Sequence, residues 1–293
     1  MRKNPIYALL PAAALLFSSC TVHHYMYAPA APAAPMLNNK GETNMTAMYS
    51  VGGTGHSDNG KGYNEGYDLQ GAYAVSDHIA VTASFSHRSE RDSYKANTLY
   101  TDVPADLWYK RNATELGMGY FTSIDSDDEV FFDLYGGYGF GKFRMHENQQ
   151  KTSGNVDLYH TTSIAKFYLQ PGFHFNASDM SQAAVSLRFT AADYYHIMSD
   201  YASLQEDSFH MATIRNTTFV FLEPSLSLRL WAPHAPWIKF EAQVSTSLKL
   251  NNKAFHYRKS YLSLGVSFDL SKIGAQSNYK FKKGKRPAPV SGS

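Results

Sequence analysis

Residues 217–231, TTFVFLEPSLSLRLW, decide the class of fold, because their side chains alternate between two kinds of surface. One face of an extended chain would carry Val220, Leu222, Pro224, Leu226, Leu228 and Leu230. The opposite face would carry Phe221, Glu223, Ser225, Ser227 and Arg229. A helix has 3.6 residues per turn and would mix the two sets, whereas a strand has a period of two. The stretch therefore predicts a strand that separates an apolar from a polar environment.

The same alternation recurs in segments of about ten residues, the length that a tilted strand needs to cross a bilayer. We predict ten strands, with eight as the alternative count. They are residues 44–52, 66–75, 79–87, 113–121, 129–143, 164–175, 183–192, 217–231, 238–248 and 261–270.

The connections between these segments alternate between short and long. Short ones lie at 76–78, 123–128, 176–182 and 232–237, and longer ones at 53–65, 88–112, 144–162, 193–216 and 249–259. Outer-membrane barrels have short periplasmic turns and long outer loops. The pattern therefore predicts an all-β protein, an antiparallel up-and-down transmembrane β-barrel, with both chain ends in the periplasm.

Composition agrees with this fold class. The chain has 21 Tyr, 18 Phe and 20 Gly among 293 residues, a mixture rich in strand formers and turn formers. Its mean hydropathy is -0.37, and no apolar run after the first twenty residues is long enough for a transmembrane helix. A barrel needs no such run, because half of each strand faces the lumen.

The first twenty residues have the pattern of an export signal. Arg2 and Lys3 precede the short apolar stretch 7–17, and Leu16-Phe17-Ser18-Ser19-Cys20 resembles the lipobox of bacterial lipoproteins. We predict a signal peptide at residues 1–19 and acylation, with palmitate as one acyl group, at Cys20, the only cysteine. The alternative is a chance cysteine beside an ordinary cleavage site.

Four regions follow along the chain. After the signal peptide, residues 20–42 contain the tract APAAPAAP at 28–35 and are predicted to be an extended linker between the lipid and the body. Residues 43–271 are the predicted barrel, and residues 272–293 are a basic tail predicted to be disordered. The predicted location is the outer membrane, with a lipid anchor and with both termini periplasmic.

Two segments carry a resemblance to known families. Asp133-Leu134-Tyr135-Gly136-Gly137-Tyr138-Gly139-Phe140 is a Gly-aromatic strand, and Ser263-Leu264-Gly265-Val266-Ser267-Phe268 looks like a final strand recognised by barrel-insertion machinery. Residues 43–270 resemble the small outer-membrane β-barrel families of Gram-negative bacteria, especially those common in Bacteroidota. The resemblance implies an architecture and an assembly partner, the barrel-assembly machinery, and no catalytic residues.

Charged residues on the polar faces would project into the lumen. They are Asp68, Glu115, Asp133, Glu223, Glu241 and Asp269, with Lys166, Arg188, Arg229 and Lys239 of opposite sign. An unpaired charge away from water is costly, so we expect these groups to pair in a narrow barrel with a filled core. A narrow or gated pore lined by the same groups is the alternative.

We predict a non-enzymatic surface role in structure, adhesion or limited permeability. The loop histidines and aspartates match no catalytic motif, and we expect no metal, cofactor or nucleic acid. Outer-membrane lipid is the expected environment, with peptidoglycan or surface ligands as candidate partners. Two alternatives are a pore for ions or small solutes, and a soluble periplasmic β-barrel lipoprotein that binds an apolar ligand.

Overall fold

The structure, a computed structural model, describes residues 24–52, 63–94 and 103–273. Eleven strands make up a single sheet in this part of the chain. They are β1 Thr43–Gly52, β2 Tyr63–Ala74, β3 Ile79–Tyr94, β4 Ala105–Ser123, β5 Val130–Lys151, β6 Gly154–Ser178, β7 Ser181–Ser199, β8 Phe219–Leu230, β9 Ile238–Thr246, β10 Leu248–Lys249 and β11 Ser260–Asp269.

The sheet closes on itself. Strands β1 to β9 pair antiparallel with their sequence neighbours, β9 pairs with β11, and β11 pairs with β1. The two-residue strand β10 adds only a short pairing to β8. Ten long strands therefore form a closed antiparallel barrel, and the predicted fold class and strand count are confirmed. Closure leaves no unpaired edge, as a lipid environment requires.

The two faces of the wall have reversed polarity compared with a soluble protein. In β8, Arg229 is 1% exposed and Glu223 is 3% exposed, whereas Leu228 and Leu230 are 42% and 49% exposed. On β6, Lys166 is buried and Phe167 is 61% exposed. Polar side chains thus point into the lumen and apolar ones point outward. This polarity suits a bilayer and argues against the soluble periplasmic alternative.

The strands extend further than predicted on one side of the barrel. Residues 144–162, predicted to be a long loop, are largely the paired ends of β5 and β6, which meet in a tight hairpin. Likewise, β3 and β4 continue pairing through Tyr94 and Ala105. These segments carry polar and charged residues on both faces. A prediction based on alternating apolar residues therefore places the ends of these strands too early. We call this side the long-loop end and the opposite side the short-turn end.

Apolar clusters close the lumen at both ends. The larger one, at the long-loop end, includes Tyr25, Tyr109, Phe143, Phe209 and Phe219. A smaller cluster at the short-turn end consists of Leu37, Ala72, Ala74, Ala80, Phe121, Phe131 and Tyr135. The polar middle of the lumen is therefore separated from water on both sides.

Glycines allow a bulky tyrosine to pack against the inner wall. A Cβ atom on Gly137 would lie 2.3 Å from the backbone oxygen of Leu116 and 2.6 Å from Tyr168 Oη. On the neighbouring strand, a Cβ on Gly117 would lie 2.2 Å from the same hydroxyl. The Tyr168 ring therefore occupies space that only glycine leaves free.

Gly137→Ala should destabilise the barrel by about 1 to 3 kcal/mol, because the added methyl group overpacks against Tyr168 and the β4 backbone. Urea unfolding in detergent micelles measures this. The matched control is Gly71→Ala, where the added methyl would meet nothing within 4 Å. The control should change stability by less than about 0.5 kcal/mol. Equal effects of the two substitutions would contradict this account of the packing.

Cys20, the predicted signal peptide at 1–19 and most of the basic tail lie outside the described residues. Within the described part of the chain, no helix is both long and apolar enough to span a membrane.

Candidate functional site in the barrel lumen

The lumen is occupied by the chain itself. Residues 24–37, which we call the plug, run through the barrel, and most of their side chains are buried. Asn38, just after the plug, accepts a hydrogen bond at the short-turn end, and His24 contacts β4 and β5 at the long-loop end. The part of the predicted 20–42 linker that the structure describes as the plug therefore lies inside the barrel, which the sequence analysis did not predict. The tract has no periodic pattern of its own, so its burial depends on the surrounding wall.

Consecutive carbonyl groups of the plug accept hydrogen bonds from wall side chains. Gln70 donates to Ala31 (3.0 Å), Gln243 to Pro32 (2.7 Å), Gln170 to Ala33 (2.8 Å), and Arg229 to Ala34 (2.7 Å) and Pro35 (2.9 Å). These donors stand on β2, β9, β6 and β8, so they approach from different sides of the lumen. Four strands of the wall thereby hold the plug.

The composition of the plug suits this arrangement. Proline has no backbone N–H, so Pro32 and Pro35 bring an acceptor into the lumen and no donor that needs a partner. Alanine is small enough for a narrow barrel. A proline-rich chain favours an extended helix with three residues per turn and no internal hydrogen bonds. Successive carbonyls then point in different directions, as the donors on different strands require.

Aromatic and charged groups hold the end of the plug near the long loops. The Tyr25 ring stacks on Tyr109 at 4.4 Å, and the guanidinium groups of Arg258 and Arg111 lie 4.5 and 5.6 Å from its centre. His24 Nε2 lies 2.8 Å from Glu147 Oε2, and its ring stacks on Phe209 at 3.7 Å. This end of the plug therefore forms part of the barrel's apolar core.

All ten predicted lumen charges are buried inside the barrel. Glu115 lies at the centre of one group: Lys166 Nζ is 2.5 Å and Arg188 Nη1 is 2.8 Å from its two oxygens. A second group pairs Arg229 with Glu241 at 2.9 Å. The Arg229 guanidinium thus binds both the Glu241 carboxylate and the plug carbonyls of Ala34 and Pro35.

The remaining predicted charges have different partners. Lys239 and Asp269 are 3.8 Å apart, and Lys272 lies 2.7 Å from the same carboxylate. Asp133 pairs with His174, which also contacts Asn38. Glu223 accepts hydrogen bonds from hydroxyl groups, including that of Tyr27 in the plug at 2.7 Å.

Asp68 binds a partner that was not among the predicted lumen charges. Arg88 donates two hydrogen bonds to its carboxylate, at 2.9 and 2.7 Å. Glu90 binds Arg111 at 2.5 Å, and Arg258 lies 3.4 Å from it. Arg88, Glu90, Arg111 and Arg258 all lie in segments predicted to be loops. Charged residues at every second position, Arg88, Glu90 and Asp92, are the signal in the sequence that the inward face of β3 continues.

The connection between β7 and β8 covers the long-loop end. It contains the short helix α1, Ser203–Ser208, and contributes Tyr201, Phe209 and Ile214 to the apolar cluster. Burial raises the pKa of Glu206 in α1, but hydrogen bonds from Ser199 and Arg215 outweigh that effect and lower it overall. Arg215 donates to both carboxylate oxygens, at 2.9 and 3.0 Å. This ion pair links two parts of the connection to each other.

The described residues contain no group of three or more His, Cys, Asp or Glu side chains that could hold a metal ion. Spaces beside the plug are small. One cavity of about 40 Å³ is lined by Met26–Ala30 together with Arg88, Arg111 and Lys166, and two others beside Ala33–Met36 measure about 10 Å³ each. Since a water needs at least about 10 to 15 Å³, these spaces hold a few waters at most.

A closed antiparallel barrel with an apolar exterior and a polar interior defines the class of outer-membrane β-barrel proteins. Residues 12–221 match the family model described as the outer membrane protein beta-barrel domain, and the chain belongs to that family. The match covers more than half of the chain. No curated protein matches this sequence.

Solved barrels are similar only in general form. The translocator domain of the autotransporter NalP from Neisseria meningitidis is 12% identical with a TM-score of 0.48, over 80% of this chain and 90% of that one. The outer membrane protease OmpT from Escherichia coli is 9% identical with a TM-score of 0.41, over 78% and 94%. The COG4313 outer membrane channel from Pseudomonas putida F1 is 10% identical with a TM-score of 0.40, over 81% and 99%.

Proposed function

We propose that this protein is a plugged, non-conducting outer-membrane barrel whose role is to display its long-loop end at the cell surface. The observation that carries the proposal is the plug, whose five consecutive carbonyls, Ala31 to Pro35, are bound by wall side chains. The cavities of about 40 Å³ or less beside the plug support a lumen that is closed to solutes. The pore hypothesis is correspondingly weaker.

The long-loop end supports a display role. Strands β5 and β6 extend well past the apolar exterior, where the outward side chains change to Lys142 and Arg144. The β7–β8 connection above them exposes Leu204 by 82% and Met198, at the end of β7, by 67%. Exposed apolar side chains on a projecting rim, here the long-loop end of the barrel, are suited to contact another surface. We propose adhesion or surface structure as the use of this rim.

We propose no catalytic role. The His24–Glu147 pair resembles an acid-base pair, but both residues are buried beneath the β7–β8 connection, where a substrate has no access. His146 and Asp157 form an accessible pair at 2.8 Å, but the imidazole is stacked between Trp108 and Tyr159. These arrangements are explained by packing alone.

Planar-bilayer recording tests the proposal. The refolded chain should show no steady conductance, and a variant that lacks residues 24–37 should conduct, because the deletion empties the lumen. A synthetic peptide of residues 24–37 should block the variant, whereas a scrambled peptide of the same composition should not.

Steady conductance of the complete chain at the level of the deletion variant would overturn the proposal in favour of a pore. If the folded deletion variant shows no conductance, the plug is not what closes the lumen. Heat-modifiability on gels identifies the folded fraction of each variant before recording. If the deletion variant does not fold, weakening the plug with Gln170→Ala and Gln243→Ala should still produce brief openings.

A further inference from the structure

The plug has a direction. His24 lies at the long-loop end, where its backbone N–H donates to Tyr109 Oη at 3.1 Å and its ring contacts Glu147 and Phe209. Asn38 lies at the short-turn end beside His174, and Gly41 pairs with Ala74 just before the β2–β3 turn. The chain therefore passes from the long-loop end to the short-turn end before it enters β1.

The apolar exterior shows where the membrane lies along this path. On the outer face of β5, Leu134, Tyr138 and Phe140 are exposed, and the next outward residues are Lys142 and Arg144. Glu147, the partner of His24, lies beyond those charges. His24 is therefore on the far side of the apolar band from the short turns.

The distance between the two ends is large compared with the reach of a few residues. From Val130 to Glu147, a strand rise of about 3.3 Å and a tilt of about 40° give roughly 43 Å along the barrel axis. Three residues lie between Cys20 and His24, so the α-carbons of these two residues are at most about 14 Å apart when the chain is fully extended. Cys20 cannot reach the short-turn end from that position.

We infer that the chain preceding His24 leaves the barrel at the long-loop end, so that Cys20 is presented on the outer side of the membrane. An acyl group carried by Cys20 then enters the outer leaflet. This inference rests on the proposed orientation of the barrel, with its long loops outside. It replaces the predicted periplasmic location of the N-terminus.

Epitope accessibility tests the inference. One epitope is inserted between Val22 and His23, which keeps Cys20 unchanged. The same epitope after Ser153, in the exposed β5–β6 hairpin, marks the long-loop end, and the epitope after Pro233 marks a short turn. Antibody binding is compared between intact and permeabilised cells, and only heat-modifiable protein is scored.

The tag at 22–23 should bind antibody equally in intact and permeabilised cells, as the tag after Ser153 does. If the tag at 22–23 binds antibody only after permeabilisation, as the tag after Pro233 is expected to do, the inference is overturned. If the tag after Ser153 is hidden and the tag after Pro233 is accessible, the proposed orientation fails and with it the surface location of Cys20. The two failures are thus distinguishable.

A smaller change repeats the test if an epitope prevents folding. In a Cys20→Ala background, His23→Cys is treated with a membrane-impermeant maleimide on intact cells. Ser153→Cys and His234→Cys, both at exposed positions, are the matched controls for the two ends. Labelling of His23→Cys at the level of Ser153→Cys supports the inference, and labelling at the level of His234→Cys overturns it.

Discussion

Replacing Glu115 with glutamine is expected to destabilise the folded barrel by about 3 to 5 kcal/mol, the usual cost of removing one partner from a buried ion pair. Glu115 neutralises Lys166 and Arg188 together, at 2.5 and 2.8 Å. Glutamine keeps the size of the side chain but offers one neutral acceptor to two cations. Urea unfolding in detergent micelles, followed by tryptophan fluorescence, measures the loss.

Two comparisons make this prediction specific. Glu129→Gln removes the same charge from an exposed position in the β4–β5 turn, and it should change stability by less than about 0.5 kcal/mol. Adding Lys166→Met to Glu115→Gln removes one of the unpaired cations and should recover part of the loss. A Glu115→Gln variant as stable as the Glu129→Gln control would show that the lumen admits enough water to screen these charges.

Replacing Arg229 with methionine is expected to cost a similar amount, about 3 to 5 kcal/mol, and to loosen the plug as well. The guanidinium donates to Glu241 at 2.9 Å, to Ala34 at 2.7 Å and to Pro35 at 2.9 Å. Methionine fills much of the volume but leaves a buried carboxylate and two carbonyls without these donors. The variant should therefore unfold at lower urea and show brief openings in bilayer recordings.

Partial replacements separate the two effects of Arg229. Arg229→Lys keeps the charge but lacks the planar fork that reaches three acceptors, so its loss should be intermediate. Adding Glu241→Leu to Arg229→Met should restore stability without restoring the hydrogen bonds to Ala34 and Pro35, so the openings should persist. Arg144→Met, on the exposed outer face, is the control and should be neutral. If the double variant regains stability and also shows no openings, Arg229 has no direct role in holding the plug.

The prediction of fold class rested on local information. A period of two along residues 217–231 places Leu228 and Arg229 on opposite faces whatever else the chain does, because successive side chains of a strand point in opposite directions. Repetition of that pattern determined the approximate positions of ten strands. Strand ends were harder to predict, because the outer parts of β5 and β6 lie beyond the apolar band and lose the alternation that identified the rest.

The polar faces were also predictable from sequence as a set. Glu115, Lys166, Arg188 and Arg229 each stand at an inward position of an alternating segment. Which acid meets which base depends on the register and closure of strands far apart in the chain. Glu115 on β4 meets Arg188 on β7, and no local pattern encodes that contact.

By itself, the sequence determined the strand class, the polarity of the wall and the alternation of connections, because each follows from the order of neighbouring side chains. Only the tertiary structure decided what fills the lumen. Residues 28–35 have no periodicity, and a proline-rich segment has the same local preferences whether it lies in water or in a barrel. Its carbonyls find Gln70, Gln170, Arg229 and Gln243 only when closure brings β2, β6, β8 and β9 around one axis, and that closure determines the end of the barrel at which His24 lies.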